Sequence, residues 1–577
     1  MSLIFNTSAG EEHGGDFYNG VATTSLRFDD GDNAELTRSP AGATDQKKYT
    51  LSCWVKRANL GSDQTIFSAG NSGSGNPGFE QLNFTSGNAL RYYRQIGGVG
   101  NTEYVTTQLF RDTSAWYNIV VMMDAANTIG YIYVNGVRVT SFSTTNHPTN
   151  VDGAVNSTQK HAFGNRSIDG SSDFDGYLAE VNFLDGLIVG ETSGYLDQFG
   201  ELKNGVWIPK AYSGSYGTNG YRLDFADNAV DAPTSEGTED TDNIGSDSSG
   251  EHNNFTSSGI VASDCAMPDS PENNFCTYNP LYLWTRTNTT ISEGNLRSVE
   301  TGTTFGVKGL GTIALNSGKW YFETYVTNSG VTTSGSVGIV DLNSLKTITG
   351  YGSDTDLHIS ICYTGTGKKS AYGTGVDSNI TSDGQGQTAY GSTFTNGDII
   401  GVAIDFDNDA IWFSKNGTWQ GSATLSEISA GTTTNAAYTG KLAAFNSWTV
   451  SNGNGLNAVN FGFHLNCGQD STFSGLEDAG SNTDANGIGN FIYELPTSYL
   501  AICTANLLEP TIGPNSSTQS TDHFGVLKYT GNGAQTRTIT SGASGIGGQA
   551  DFKPDWVVQR IVTNTGQSAG NWDSTRG

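Results

Sequence analysis

The chain has 577 residues, room for three or four domains of about 150 residues each, and a formal charge of −28 from 57 acidic and 29 basic side chains. A surface that negative repels phosphate backbones, which excludes nucleic acid as a partner class. No stretch approaches the roughly 20 apolar residues of a membrane span, and the opening MSLIFNTSAGEEHGG has neither the basic start nor the apolar core of a secretory signal.

Hydrophobic residues make up 35% and charged residues only 15%, with 76 glycines and abundant Ser, Thr and Asn between them. Those residues supply turns, while aromatic and β-branched residues supply strands, so the mixture predicts many short strands. No long run has helical periodicity. The expected fold is all-β: tandem antiparallel β-sandwiches (jelly rolls) joined by Gly/Ser/Asp-rich connectors. The six cysteines, Cys53, Cys265, Cys276, Cys362, Cys467 and Cys503, form no CxxC, so a zinc knuckle is not expected. Cys265 and Cys276 are near enough in sequence to bridge a loop, but a reduced cytosolic fold is the default.

Residues 1–20 are polar and Gly-rich and read as an arm, either docking onto a partner or frayed. From Thr24 strands begin. In KYTLSCWVKR, Tyr49, Leu51, Cys53 and Val55 alternate with polar residues and Trp54 points the other way, the pattern of a half-buried strand. Gln64 to Ser68, Glu80 to Phe84 and Ala89 to Arg94 follow, set off by Gly or Asn. Trp116 to Asp124 and Gly130 to Gly136 form a hairpin, whose Asn135-Gly136 is a strong tight-turn dipeptide. Asp175 to Phe183 closes this unit, placed at residues 21–195.

The set of Trp116 to Asp124, Tyr-Val-Asn135-Gly136 and the late strand through Glu180 resembles the laminin-G-like, concanavalin A-like jelly roll. That resemblance implies a lectin-like sandwich. It also raises Ca²⁺ at a sheet rim, with Asp173 and Asp175, and Asp124 across the sandwich, as candidate oxygen ligands. Turn carboxylates capping backbone N–H groups are the alternative, and it is the favoured one.

Residues 196–294 read as a connector with short strands. Its runs GSYGTNGYRLDF, DSSGEHNNF and PENNFCTYNPL are similar to those of tailed-phage virion proteins that place a lectin-like sandwich upstream of such a connector. The next unit, residues 295–475, centres on a hairpin from Gly397 to Gly417. Ile399, Ile400, Val402, Ile404 and Phe406 form one apolar run; Ile411, Trp412 and Phe413 form the next. Asp407-Asn408-Asp409 turns between them. With Gly318-Lys-Trp-Tyr-Phe-Glu323 upstream and Asn466-Cys-Gly-Gln469 downstream, this unit resembles the SPRY family, a two-sheet sandwich that binds through its loops. Phe406, Trp412 and Phe413 are expected in packing. After a second connector at 476–520, residues 521–577 read as the start of a further β domain, too short to be complete at about half of the roughly 100 residues a two-sheet sandwich needs.

Catalysis is not expected. A retaining glycosidase needs two carboxyl groups about 5 to 5.5 Å apart, and the alternating acids this requires are missing around Glu180 and Glu323. The acidic run at Glu236–Asp242 lies in the connector, and Asp405 and Asp407 suit a polar face or a turn cap. None of the histidines (His13, His147, His161, His252, His358, His464, His523) has an acid and a nucleophile in order. The sequence names no ligand-binding residue.

The overall expectation is a virion structural protein of a phage tail or fibre, located in the virion after assembly in the host cytoplasm. It would hold host-surface glycans and other virion proteins as partners, as a homotrimer. A non-binding component of head, collar or baseplate is the alternative; a polysaccharide depolymerase and a bacterial adhesin stand behind it.

Overall fold

The computed structural model describes residues 17–71, 78–97, 101–192, 194–231, 237–240, 242–281, 289–300, 306–328, 335–344, 360–372, 388–454 and 461–508, with strands at Ile4–Phe5, Trp556–Gln559 and Gly570–Asp573. The fold is nearly all β, built from antiparallel sheets packed as two sandwiches.

Among the described residues, the first sandwich stacks a seven-stranded sheet on an eight-stranded one. The strand Lys48–Arg57 lies at the centre of the seven-stranded sheet, between Trp116–Asp124 and Gly176–Asp185. Tyr49, Leu51, Cys53 and Val55 face the core with Ile119, Val121 and Met123, as their alternation predicts. The strand is not half-buried, however. Trp54 and Lys56 on its other face are buried too, because later parts of the chain cover that face. The Asn135-Gly136 turn shows why glycine is required: φ is +49° and +73°, and a Cβ on Gly136 would meet the Trp207 ring at 2.3 Å.

Residues 196–294 are more than a linker. Tyr221–Leu223 pairs with the closing strand of the first sandwich, and Thr256–Ser258 pairs with Glu35–Arg38 in the opposite sheet. Both additions complete the edges of sheets laid down earlier, the second against a strand near the start of the first sandwich.

The second sandwich stacks a nine-stranded sheet on a six-stranded one, again among the described residues. The hairpin forms as expected, with Ile399–Asp405 paired to Ala410–Lys415. Val402, Ile404, Ile411 and Phe413 enter the core between the sheets. Ala403 and Trp412 face the other way, against Phe491, Tyr499 and Ala501. Phe406 is only partly buried, because the strand ends at Asp405 and the turn begins there. Asp405 caps that turn: its carboxylate accepts from Asn408 N at 3.0 Å and pairs with Lys319 at 3.3 Å. One short helix, Leu425–Ser429, is not foreseen by the sequence reading; a reciprocal Thr424/Glu427 capping box starts it.

Buried carboxylates repeatedly clamp loops to sheets. Glu323 accepts from Ile492 N at 3.0 Å and Tyr493 N at 2.9 Å. Glu80 accepts from Ala154 N at 2.7 Å, and Glu272 from Gly20, Val21 and Ala22 N. Backbone N–H groups in loops have no ladder partner, and the two oxygens of one carboxyl group accept from several at once.

The two sandwiches are joined by a polar seam. Arg27 bonds Asp264 at 2.7 Å and Asp470 at 3.0 Å. Tyr177 donates to Gly294 O at 2.8 Å, and Glu293 N donates to Asp29 at 2.9 Å. All six cysteines are buried free thiols. Cys265 and Cys276 do not pair: one lies in the first core and the other in the second.

The N-terminal arm reaches its own chain: Ile4–Phe5 pairs in parallel with Ile313–Ala314. In the C-terminal segment, Trp556–Gln559 pairs with Gly570–Asp573; the strand expected from Phe524 to Tyr529 lies outside the described residues.

Candidate functional site

The outer face of the eight-stranded sheet is the best-formed candidate surface. On Ala89–Gln95, Leu90 and Tyr92 point into the core while Arg91, Tyr93 and Gln95 point out. Strand register extends this face sideways. Tyr93 stands opposite Gln81 and Glu103, and Gln81 opposite Ser68. Arg91 stands opposite Asn83 and Val105, and Asn83 opposite Thr65. The sequence thus lays two cross-strand rows of amide, hydroxyl, aromatic and charged groups side by side.

These rows are ordered by their own contacts. Arg91 Nε bonds Glu103 Oε1 at 2.7 Å, and its guanidinium lies 4.3 Å from the centre of the Tyr93 ring. Gln81 Nε2 donates to Asn83 Oδ1 at 3.0 Å. The loop after Phe163 folds back along one side. Ser68 Oγ donates to Asn165 O at 2.8 Å and accepts from Ser167 N at 2.8 Å.

Four buried polar atoms here have no hydrogen-bond partner: Gln81 Oε1, Thr65 Oγ1, Asn165 Oδ1 and Ser167 Oγ. Buried polar atoms are normally satisfied. Two are amide oxygens and two are hydroxyls, so the group as a whole accepts hydrogen bonds from O–H or N–H donors. Arg91 is already matched by Glu103, which leaves the surface close to neutral.

The three aspartates raised as Ca²⁺ ligands are not brought together. Asp124 sits opposite Lys48, whereas Gly176, beside Asp175, sits opposite Arg57. These are the two ends of one strand, roughly 30 Å apart at about 3.3 Å per residue. Asp124 instead caps the turn at Asn127 (2.8 Å from Nδ2) and pairs with Lys48 at 3.4 Å, and its pKa is held low. Asp175 is buried with no bond to its Oδ1. Burial, then Asp30 and Asp29, push its carboxyl well above the usual range. Asp173 is raised in the same way, by burial first.

The other singled-out acids are engaged by neighbours. Glu180 is held by Arg222 through two bonds, 2.9 and 2.8 Å. Glu323 is surrounded by donors: two backbone N–H groups, Tyr321 Oη and Asn466 Nδ2. Sequence reasoning missed the outward face at Gln81, Asn83, Arg91 and Tyr93. The alternation in Ala89–Gln95 carried the signal, but which neighbouring strands extended it depends on register.

A family profile described as the concanavalin A-like lectin/glucanases superfamily, of the Laminin_G_3 type, matches residues 29–190, and one described as the SPRY domain matches residues 319–439. The chain carries a concanavalin A-like domain followed by a SPRY domain. Among solved structures it is similar to a native heptameric SAP-like pentraxin from Limulus polyphemus (14% identity, 30% of this chain and 80% of that one, TM-score 0.23). It is similar also to the SPRY domain of human HERC1 (16%, 31% and 91%, TM-score 0.21). A third is the CBM40 of the Ruminococcus gnavus IT-sialidase (12%, 29% and 92%, TM-score 0.22). These likenesses extend no further than the fold. No curated protein matches the chain.

Proposed function

We propose that this chain is a non-catalytic glycan-binding structural protein of a tailed-phage virion, acting in a tail or fibre and attaching the particle to a host surface. The glycan part rests on the outer face of the concanavalin A-like domain. The observation that carries it is the row Ser68–Gln81–Tyr93–Glu103, where the partly exposed Tyr93 ring stands beside Gln81, whose Oε1 has no hydrogen-bond partner. A sugar presents O–H donors around a ring whose C–H faces pack on an aromatic plane. The lectin-like family match supports the same reading.

The phage part rests on the connector runs GSYGTNGYRLDF, DSSGEHNNF and PENNFCTYNPL and their likeness to virion proteins. Six buried free thiols suit assembly in a reducing cytoplasm. Single sugar contacts are weak, and a homotrimer would supply avidity. Glu180 and Glu323, two of the acids that stand on strands, are each occupied by structural partners, which favours binding over hydrolysis.

A second reading, a spacer or decoration without a ligand, is favoured by the buried Arg27 seam, which fixes one sandwich against the other. Glycan-array binding of the purified chain separates the two. A glycan bound by the wild type and lost on Tyr93→Ala supports attachment; an array with no bound glycan sinks it. Labelled antibody on intact particles, viewed by electron microscopy, tests the virion placement, and reducing-sugar release from bound polysaccharide would overturn the non-catalytic reading.

A further inference from the structure

Lys56 lies on the central strand of the first sandwich's seven-stranded sheet. Among the described residues no other lysine is so enclosed, and its side chain is 1% exposed. Burying an ammonium is costly unless it is paired and hydrogen-bonded. Two groups from the segment leading into the second sandwich meet it. Asp269 Oδ2 lies 2.6 Å from Nζ, and Asn274 Oδ1 lies 2.7 Å from it. The Tyr177 ring lies beside the amine, 5.6 Å from its centroid.

Each partner is fixed by further contacts. Trp116 Nε1 donates to the other oxygen of Asp269 at 3.3 Å, and Ser25 Oγ donates to Asp269 O at 2.6 Å. Asn274 Nδ2 donates to Ser114 O at 2.6 Å, which turns the amide oxygen towards Lys56. Its backbone N–H donates to Thr504 Oγ1 at 2.9 Å. A carboxylate alone would satisfy the ion pair. A second, oriented amide places an electrophilic carbon beside an amine held in one position, the arrangement that gives intramolecular reactions their large effective concentrations.

We propose that Lys56 and Asn274 join in an intramolecular isopeptide bond that the folded chain forms by itself, with Asp269 as its acid–base catalyst. The Lys56 ammonium gives a proton to the Asp269 carboxylate across their hydrogen bond. The freed Nζ lone pair attacks Cγ of Asn274, and a new Nζ–Cγ bond forms. A proton passes through Asp269 to Nδ2, the Cγ–Nδ2 bond breaks and ammonia leaves. Ammonium and amide become amide and ammonium, so atoms and charge balance without an oxidant or co-reactant. Burial pushes the Asp269 carboxyl up, which suits it to hold the proton in transit. Asn274 is only partly buried, so ammonia has a way out. The bond would close a loop between residues 218 positions apart and tie a central strand of the first sandwich to the start of the second.

Intact-mass spectrometry of the purified full chain under denaturing conditions tests this. The expected mass is lower than that of the sequence by one ammonia, and a protease digest yields a branched peptide joining Lys56 to Asn274. The unmodified mass overturns the proposal. A mass lower by one water, with a branch between Lys56 and Asp269, overturns the assignment to Asn274. Asp269→Asn is expected to restore the full mass; a persisting cross-link would remove Asp269 from the reaction. The wild-type measurement decides the bond's existence even if that variant fails to fold.

Discussion

Arg27 Nη1 lies 3.0 Å from Asp470 Oδ2, with the two side chains 0% and 3% exposed, across 443 residues of sequence. Its Nε and Nη2 both bond Asp264 Oδ1, at 3.0 and 2.7 Å. One guanidinium therefore neutralises two buried carboxylates, one from the segment that completes the first sandwich and one from the second sandwich. Removing it strands both charges. Arg27→Met is expected to destabilise the chain by roughly 3–5 kcal/mol. Urea unfolding followed by tryptophan fluorescence would show it, with one transition in the wild type separating into two. An unchanged profile would mean that the seam contributes nothing.

Glu323 makes stability fall as pH rises. Burial, opposed by its four donors, lifts its pKa from 4.5 to about 7. The unfolded chain releases this proton above 4.5 while the folded one keeps it to about 7. The contribution is thus complete below pH 4.5 and is lost between 4.5 and 7, about 3 kcal/mol in all. Glu323→Gln should flatten the pH dependence in that window. It should also loosen the Ile492–Tyr493 segment, since a glutamine amide turns one acceptor into a donor facing backbone N–H. Melting temperatures of both proteins from pH 4 to 8 give the comparison.

His161 and His464 act with the opposite sign. Burial lowers His161 from 6.5 to about 4 and His464 to about 3. The unfolded chain takes up protons below pH 6.5 that the folded chain refuses, so stability is lost as pH falls from 6.5 to 4. Nε2 of His161 accepts from Asn156 N at 3.1 Å, which a protonated ring could not do. His161→Gln is expected to lower stability at pH 7 while reducing the acid loss. An acid limb as steep as the wild type's would place the sensitivity elsewhere.

On the outer face of the eight-stranded sheet, Tyr93→Ala is expected to weaken glycan binding roughly tenfold, about 1.4 kcal/mol. Tyr93 is half-exposed, so the melting temperature should hardly move. Gln81→Leu removes an unpartnered acceptor and should weaken the same glycans. Equal binding by both variants in titration calorimetry would move the ligand away from this face.

Asp124 and Asp175 stand at opposite ends of one strand, too far apart to share a calcium ion at the first sandwich's rim. Among the described residues no group of three or more His, Cys, Asp or Glu side chains is arranged to hold a metal. Asp175, buried and raised in pKa, costs stability as pH rises, so Asp175→Asn should raise the melting temperature at pH 7. A rise on adding Ca²⁺ to the wild type, reversed by chelator, would contradict this.

What the sequence showed reliably was local. The alternation in KYTLSCWVKR, the Asn135-Gly136 turn and the hairpin from Gly397 to Gly417 each depend on residues a few positions apart, and all appear where expected. The candidate face was half legible: Arg91 and Tyr93 share a side by alternation alone, but Gln81 and Ser68 join them only through register.

The sequence alone determined two β-sandwiches and their order, because side-chain alternation and turn chemistry are set by near neighbours. Only the tertiary structure decided that Asp124 and Asp175 lie at opposite ends of a sheet, that Tyr221–Leu223 and Thr256–Ser258 complete the first sandwich's sheets, and that Lys56 meets Asp269 and Asn274. Those outcomes join groups up to several hundred residues apart. Their partners are chosen by which faces remain uncovered once the sheets have formed, and a local pattern holds no record of that.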